Sequence, residues 1–200
     1  MELVHRLREA LKVAAGEFNR ALCYFDPAPD RINSYPERMV SYYYIRALAR
    51  ALPRANALLE IPVKSKRGWD NHIDALVFND HEAIVAEFKV AWAPDHWEAL
   101  ARDLERLKRA SVVRGIRKSF EKAERAASHR RRPFIFLGAD VWYRARAEAW
   151  KSGKKAGNWI LPKSMLASQR DYICVYPYKG TGLDGYYLTW ALIKFDEMAA

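Results

Sequence analysis

The feature that most constrains the fold is the segment 83–92, AIVAEFKVAW, which is apolar at almost every position. A strand with one face in water alternates apolar and polar residues, whereas a strand covered on both faces is apolar nearly throughout. The segment is therefore predicted to be an interior strand with both faces covered. Two charged residues, Glu87 and Lys89, interrupt it. A charge in such a strand is costly unless it is paired or has a function.

The hydrophobic pattern of the rest of the chain predicts the order of the other elements. Ser34-x-x-Glu37 is a capping-box pattern that predicts the start of a helix ending at Pro53. This order predicts an α/β fold, namely a three-layer α/β/α domain on a central mixed sheet with a β-rich C-terminal part. Helices are predicted at 2–22, 34–52, from 94 to about 127 and at 144–152, and strands at 57–64, 71–79, 83–92, 134–143, 172–178 and 186–195, with 153–171 irregular.

Length and composition exclude several classes of protein. The chain has 200 residues, enough for one domain with a sizeable core, and no apolar run of membrane-spanning length. Charges near the N-terminus leave no run typical of a signal peptide. Cys23 and Cys174 lack a metal-binding spacing and are expected to be reduced core thiols, with one disulfide as the alternative. A cytoplasmic location is expected.

The charge of the chain favours partners that carry phosphates. Lys and Arg number 34 against 24 Asp and Glu, which gives a formal net charge of +10. Each phosphate that a cation neutralises releases condensed counterions, so such an excess favours nucleic acid. The alternative is a charge that serves solubility alone.

Three acids and a lysine fall on matching faces of two adjacent predicted strands. Alternate residues of a strand share a face, so Glu87 lies beside Lys89, and Asp74 beside Asp70 and His72. If residues 80–81 form a two-residue turn, the residue numbers of cross-strand partners sum to 161. Asp74 then lies directly opposite Glu87. Paired side chains approach to about 5 Å at Cβ, and two carboxylates so close repel unless a cation lies between them.

Two interpretations of these charges remain open. Carboxylate oxygens are preferred ligands of Mg²⁺, so the pair is typical of a metal site. Alternatively, the strand is only salt-bridged, with Lys89 neutralising Glu87.

The segment from about 36 to 136 resembles the core of the PD-(D/E)xK nuclease superfamily. Asp74 matches the first acid of its motif, Glu87 the second and Lys89 the lysine, with Ile73 in place of the proline. The order helix, three strands, helix, strand matches as well. The resemblance implies one restriction-endonuclease-like domain over residues 1–200, with its core at about 36–143 and an extension at 144–200.

The resemblance also implies a chemistry. Asp74, Glu87 and the Phe88 carbonyl would hold Mg²⁺, with Mn²⁺ as a substitute, and Lys89 would orient the attacking water. Glu37 and Asp70 are candidate auxiliary acids. The implied activity is phosphodiester hydrolysis, most simply that of a DNA endonuclease in restriction, repair or recombination. The alternative is a retired nuclease fold that binds nucleic acid or serves assembly. Cutting both strands of double-stranded DNA favours a homodimer.

Basic residues near this hairpin are candidate nucleic-acid contacts. Some precede the second strand and others recur at helical spacing on the helix that follows the third. An ordinary solvated helix face is an equal alternative for the second group. The candidates are Lys64, Lys66, Arg67, Arg102, Arg106 and Arg109.

Overall fold

A computed structural model describes residues 2–25, 37–65, 68–91, 93–108, 132–166, 168–176 and 184–194. Within these residues the chain forms four α-helices, one short 3-10 helix and six strands. The helices are α1 (Leu3–Phe25), α2 (Glu37–Ala51), α3 (Asp95–Lys108) and α4 (Arg144–Ser152), with the 3-10 helix at Lys163–Met165. The strands are β1 (Asn56–Ser65), β2 (Gly68–Phe78), β3 (Glu82–Val90), β4 (Arg132–Trp142), β5 (Gln169–Tyr176) and β6 (Tyr186–Lys194).

The described strands form one mixed sheet in the order β1-β2-β3-β4-β6-β5. Only β3 and β4 run parallel, and the other neighbours are antiparallel. The interior position predicted for the 83–92 segment is confirmed, and β1 with Pro62 lies at an edge, where a missing backbone donor is tolerated. The C-terminal hairpin places β6 against β4, so the predicted extension continues the same sheet rather than being appended to it.

Helices cover both faces of the sheet. On one face α1 and α2 pack against alternate residues of β3, among them Ile84, Ala86 and Phe88. On the other face α3 and α4 pack against Ala83 and Val85 of the same strand. This alternation explains why the strand is apolar nearly throughout, and it confirms the α/β class. Alternate residues of a strand share a face, so Glu87 and Lys89 lie on the same face as Ala83 and Val85, which is the face that α3 covers.

A glycine in β4 fixes the side-chain direction of β3 at the point where its charges lie. Gly138 is the partner of Phe88 in the parallel ladder. A Cβ atom built on Gly138 would lie 2.9 Å from the Phe88 ring and 3.1 Å from the Tyr44 ring. Phe88 stacks on Tyr44 of α2, with ring centroids 5.4 Å apart. The missing side chain at Gly138 therefore makes room for Phe88 on the α2 side, which directs its two neighbours to the α3 side.

Several predicted boundaries differ from the structure. The strand β5 begins at Gln169, inside the segment predicted to be irregular, because it pairs with β6 through Leu192. Ser34 and residues 109–131, over which α3 was expected to continue, lie outside the described residues. Cys174 has a free thiol, but the residue is exposed rather than in the core. No described helix combines the length and the apolar character that crossing a membrane requires.

Candidate active site

The hairpin between β2 and β3 sets the register of the predicted acids. The Asn79 N–H donates to the Glu82 carbonyl, and the Asn79 side-chain oxygen accepts from the backbone N–H groups of His81 and Glu82. The turn therefore has two central residues, as predicted. The pairs from Phe78↔Ala83 to Ala75↔Ala86 all sum to 161, which confirms the predicted register over this part of the hairpin.

The two strands separate where the acids begin. Their ladder ends at Ala75↔Ala86, one residue before Asp74 and Glu87. Beyond that point the Phe88 N–H donates at 2.7 Å to Asp74 Oδ2. A carboxylate of β2 thus takes the place of a backbone acceptor. The Phe88 carbonyl projects to the same side of β3 as its N–H, since both groups of a strand residue face one neighbour. Asp74 and this carbonyl therefore face one gap.

Glu87 is the most perturbed acid of the site. The residue is 2% exposed, yet it carries a carboxyl group inside the sheet. Burial, and next the negative charge of Asp74, raise the pKa of Glu87 to about 9, although Arg106 opposes the shift. A hydrogen bond between the carboxyl groups of Glu87 and Asp74 also contributes to the raised pKa of Glu87, as its smallest cause. The raised pKa favours the protonated form of Glu87 at neutral pH when no further cation lies beside it.

Lys89 lies between two carboxylates without binding tightly to either. Its Nζ is 3.8 Å from Glu37 Oε1 on α2 and 3.9 Å from Asp103 Oδ2 on α3. Both distances exceed that of a hydrogen bond, and the side chain is 31% exposed. The alternative in which Lys89 neutralises Glu87 is not what the structure shows, because Glu87 is paired with Arg106. Lys89 is attracted to the site by charge and retains donors for a ligand.

Arg106 joins three parts of the site. Its Nη2 donates to Glu87 Oε1 at 2.6 Å, and its Nη1 donates to the His72 carbonyl at 2.9 Å. The same Nη2 lies 3.3 Å from Asp103 Oδ1, one helical turn earlier. The guanidinium of α3 therefore spans the gap between β2 and β3. His72 enters the site through its backbone, and the residue is exposed.

A second buried acid fixes the end of β3. Asp140 of β4 accepts from the Ala91 N–H at 3.1 Å and from the Tyr186 hydroxyl at 2.6 Å. Burial raises the pKa of Asp140 to about 6, while the Tyr186 hydrogen bond lowers it, and Glu37 is close enough to raise it further by its charge. These contacts anchor the chain as it leaves the strand that carries Glu87 and Lys89.

The structure brings five of the predicted catalytic and metal-site residues together, namely Glu37, Asp74, Glu87, Phe88 and Lys89. Of the predicted basic contacts, Arg102 is exposed, whereas Arg106 is 21% exposed and turned towards Glu87. The remaining candidates are outside the described side chains, and these are Asp70, Lys64, Lys66, Arg67 and Arg109.

Two acids were missed by sequence reasoning. Asp140 interrupts the apolar segment FIFLGADVW, and the cost argument applied to Glu87 would have identified it. Asp103 gave no comparable signal, because an acid among the charges of an amphipathic helix is ordinary. Burial raises the pKa of Asp103, while the charges of Arg106 and Lys89 lower it.

The donor set fits a hard divalent cation in part. Asp74 and Glu87 bring two carboxyl groups together, and the Phe88 carbonyl faces the same gap. Within the described residues, however, no three His, Cys, Asp or Glu side chains already form a metal-binding group. The third nearby acid, Asp103, is directed to Arg106 and Lys89. The arrangement therefore offers two carboxylates and one carbonyl to an ion, with waters to complete its coordination.

Comparisons of the chain with protein-family models, with curated proteins and with solved structures find no match.

Proposed function

We propose that this chain is a metal-dependent nuclease of the PD-(D/E)xK type that hydrolyses phosphodiester bonds, with DNA as its preferred substrate. The observation that supports it best is the meeting of Asp74 with Glu87 and the Phe88 backbone at the point where β2 and β3 separate. Lys89 lies two residues further along the same strand, on the same face. The proposed restriction-endonuclease-like core then corresponds to α2, β1 to β3, α3 and β4.

Each site residue has a role in this proposal. Asp74, Glu87 and the Phe88 carbonyl would hold Mg²⁺, and Glu37 is an auxiliary acid within reach of Lys89. When bound, the ion lowers the pKa of a water and stabilises negative charge on the phosphate. Lys89 orients that water and places a positive charge beside the scissile phosphate. Its loose contacts with Glu37 and Asp103 leave it able to turn towards a substrate.

A second candidate function is a nucleic-acid-binding subunit that does not cleave. The contact between Arg106 and Glu87 favours it, because a guanidinium already occupies one oxygen of the carboxyl group that would bind the metal. This function still accounts for the net charge of +10, since nucleic-acid binding needs cations rather than catalysis.

Cleavage assays distinguish the two functions. Supercoiled plasmid, linear duplex and single-stranded DNA and RNA are incubated with the protein and Mg²⁺, Mn²⁺ or excess EDTA. The nuclease proposal requires cleavage that depends on metal and is lost in Asp74→Asn. Asp80→Asn is the matched control, because Asp80 is an exposed acid in the turn of the same hairpin. Cleavage that persists in EDTA or in Asp74→Asn contradicts the proposed site, and binding without cleavage supports the second function.

A further inference from the structure

The Arg106 guanidinium lies beside the carboxyl groups of Asp74 and Glu87, where a cation would bind. Its guanidinium donates to Glu87 and to the His72 carbonyl, so it carries positive charge into the gap between β2 and β3. We infer that Arg106 occupies the cation position in the metal-free protein, where it holds the Glu87 carboxyl group, and that it releases this group when a divalent ion binds. The inference rests on the proposed metal-dependent function and assigns to it a positioning residue outside the resemblance.

The structure provides a second acceptor for the guanidinium. Asp103 Oδ1 lies 3.3 Å from the same Nη2 that bonds to Glu87 Oε1 at 2.6 Å. Asp103 and Arg106 are three residues apart on α3, a spacing at which helical side chains are neighbours. The guanidinium can therefore leave Glu87 and remain paired on its own helix. The exchange does not require an unpaired charge in the interior, which would be costly.

The present contacts of Arg106 leave its buried Nε donor unused. Its Nε atom is buried and has no hydrogen-bond partner among the described residues. A buried donor without a partner raises the free energy of the arrangement that contains it. A guanidinium presents its donors as a planar fork that matches a phosphate. Once released from Glu87, Arg106 can direct this planar set of donors at a substrate phosphate beside Lys89. If the contact between Arg106 and Glu87 were only structural, it would persist when metal binds.

The first test observes the exchange directly in the wild-type chain. Mg²⁺ is titrated into ¹⁵N-labelled protein, and the arginine Nε–H signals are followed, with Arg106 assigned through Arg106→Lys. The Arg106 signal should shift and saturate with Mg²⁺, whereas that of exposed Arg102 should not. In Glu87→Gln the signal should already be displaced and respond little to Mg²⁺. An Arg106 signal that stays in place at saturating Mg²⁺ would overturn the inference.

The second test measures competition. Calorimetry with Mn²⁺ compares wild type with Arg106→Gln, Arg106→Lys and the control Arg102→Gln, after thermal melts establish that each is folded. Removing a competing positive charge should tighten Mn²⁺ binding on the order of tenfold in Arg106→Gln. Arg106→Lys should stay close to wild type, because the charge is kept. Unchanged or weaker Mn²⁺ binding in Arg106→Gln contradicts the exchange.

The two tests separate this inference from the proposed function. If Arg106 responds to metal but no substrate is cleaved, the nuclease proposal fails and the exchange stands. If cleavage depends on metal but Arg106→Gln binds Mn²⁺ like wild type, the exchange alone fails. If the wild-type chain binds neither Mg²⁺ nor Mn²⁺, both are wrong.

Discussion

The buried carboxyl of Glu87 should make the metal-free protein less stable as the pH rises. The folded-state pKa of Glu87 is raised to about 9, against 4.5 for an unperturbed glutamate. Between these values the folded chain keeps a proton that the unfolded chain has lost. Stability therefore falls with increasing pH throughout this window, and the loss is complete only above the folded-state pKa.

The expected magnitude follows from one proton. A difference of one bound proton corresponds to about 1.4 kcal/mol per pH unit, so wild type should lose up to about 2.7 kcal/mol between pH 6 and pH 8. For a chain of this size that corresponds to a melting temperature lower by roughly 5–10 °C. Glu87→Gln cannot titrate and should lack this contribution. Because other titrating groups are common to both proteins, the difference between the two curves isolates Glu87.

Urea unfolding in EDTA measures the effect at several pH values between 5.5 and 8.5. Glu105→Gln is the control, because Glu105 is an exposed acid on α3, and it should keep the wild-type pH dependence. Added Mg²⁺ should stabilise wild type more at pH 8 than at pH 6, since the proton that the ion must displace from Glu87 is lost more easily at the higher pH. Parallel curves for wild type and Glu87→Gln would refute the raised pKa and the argument built on it.

Three further outcomes are expected. Lys89→Ala should bind Mn²⁺ at least as well as wild type, but its cleavage rate should fall by a factor on the order of 10². The control Lys12→Ala should cleave at the wild-type rate. A folded Lys89→Ala that also cleaves at the wild-type rate would show that the site is wrongly assigned. Nucleic-acid affinity, measured by fluorescence anisotropy, should fall with salt at a log–log slope of about −4 to −8; a flat response contradicts a phosphate-binding surface. Gly138→Ala should lose about 1–3 kcal/mol in urea unfolding, because its Cβ would lie 2.9 Å from Phe88; unchanged stability would mean that Phe88 can move at no cost.

The sequence was sufficient for the parts of the site that depend on short-range geometry. A two-residue turn and the period of two in a strand fix which residues of β2 and β3 can meet, and the register at Ala75↔Ala86 is as predicted. A strand that is apolar at nearly every position must have both of its faces covered, and this predicted the interior position of β3 in the sheet. In both cases the determining interactions lie within one hairpin or one strand, so local pattern decides them.

The contribution of α3 depends on long-range geometry that the pattern does not contain. Arg102 and Arg106 belong to the same basic stripe in the sequence, yet Arg102 is exposed and Arg106 reaches Glu87. The difference comes from how α3 is rotated against the sheet, which Trp97 and Leu100 set by packing into the core. A charged residue at the border of a buried stripe lies on the inner or outer side according to a rotation of a few tens of degrees, which sequence periodicity does not define.

The local charge of the site differs from that of the whole chain, and the difference bears on function. Glu37, Asp74, Glu87 and Asp103 surround Lys89 and Arg106, so acids outnumber bases at the centre of a chain with a net charge of +10. An acidic centre repels phosphate, whereas the positive net charge of the chain attracts it. If the chain is the proposed nuclease, nucleic acid should therefore bind mainly outside this acidic centre until a cation joins Asp74 and Glu87. Under the proposed function, the centre with Lys89 and a released Arg106 becomes favourable for a phosphate only when that cation is present. Metal binding would then be a condition for substrate to enter the site as well as for its cleavage.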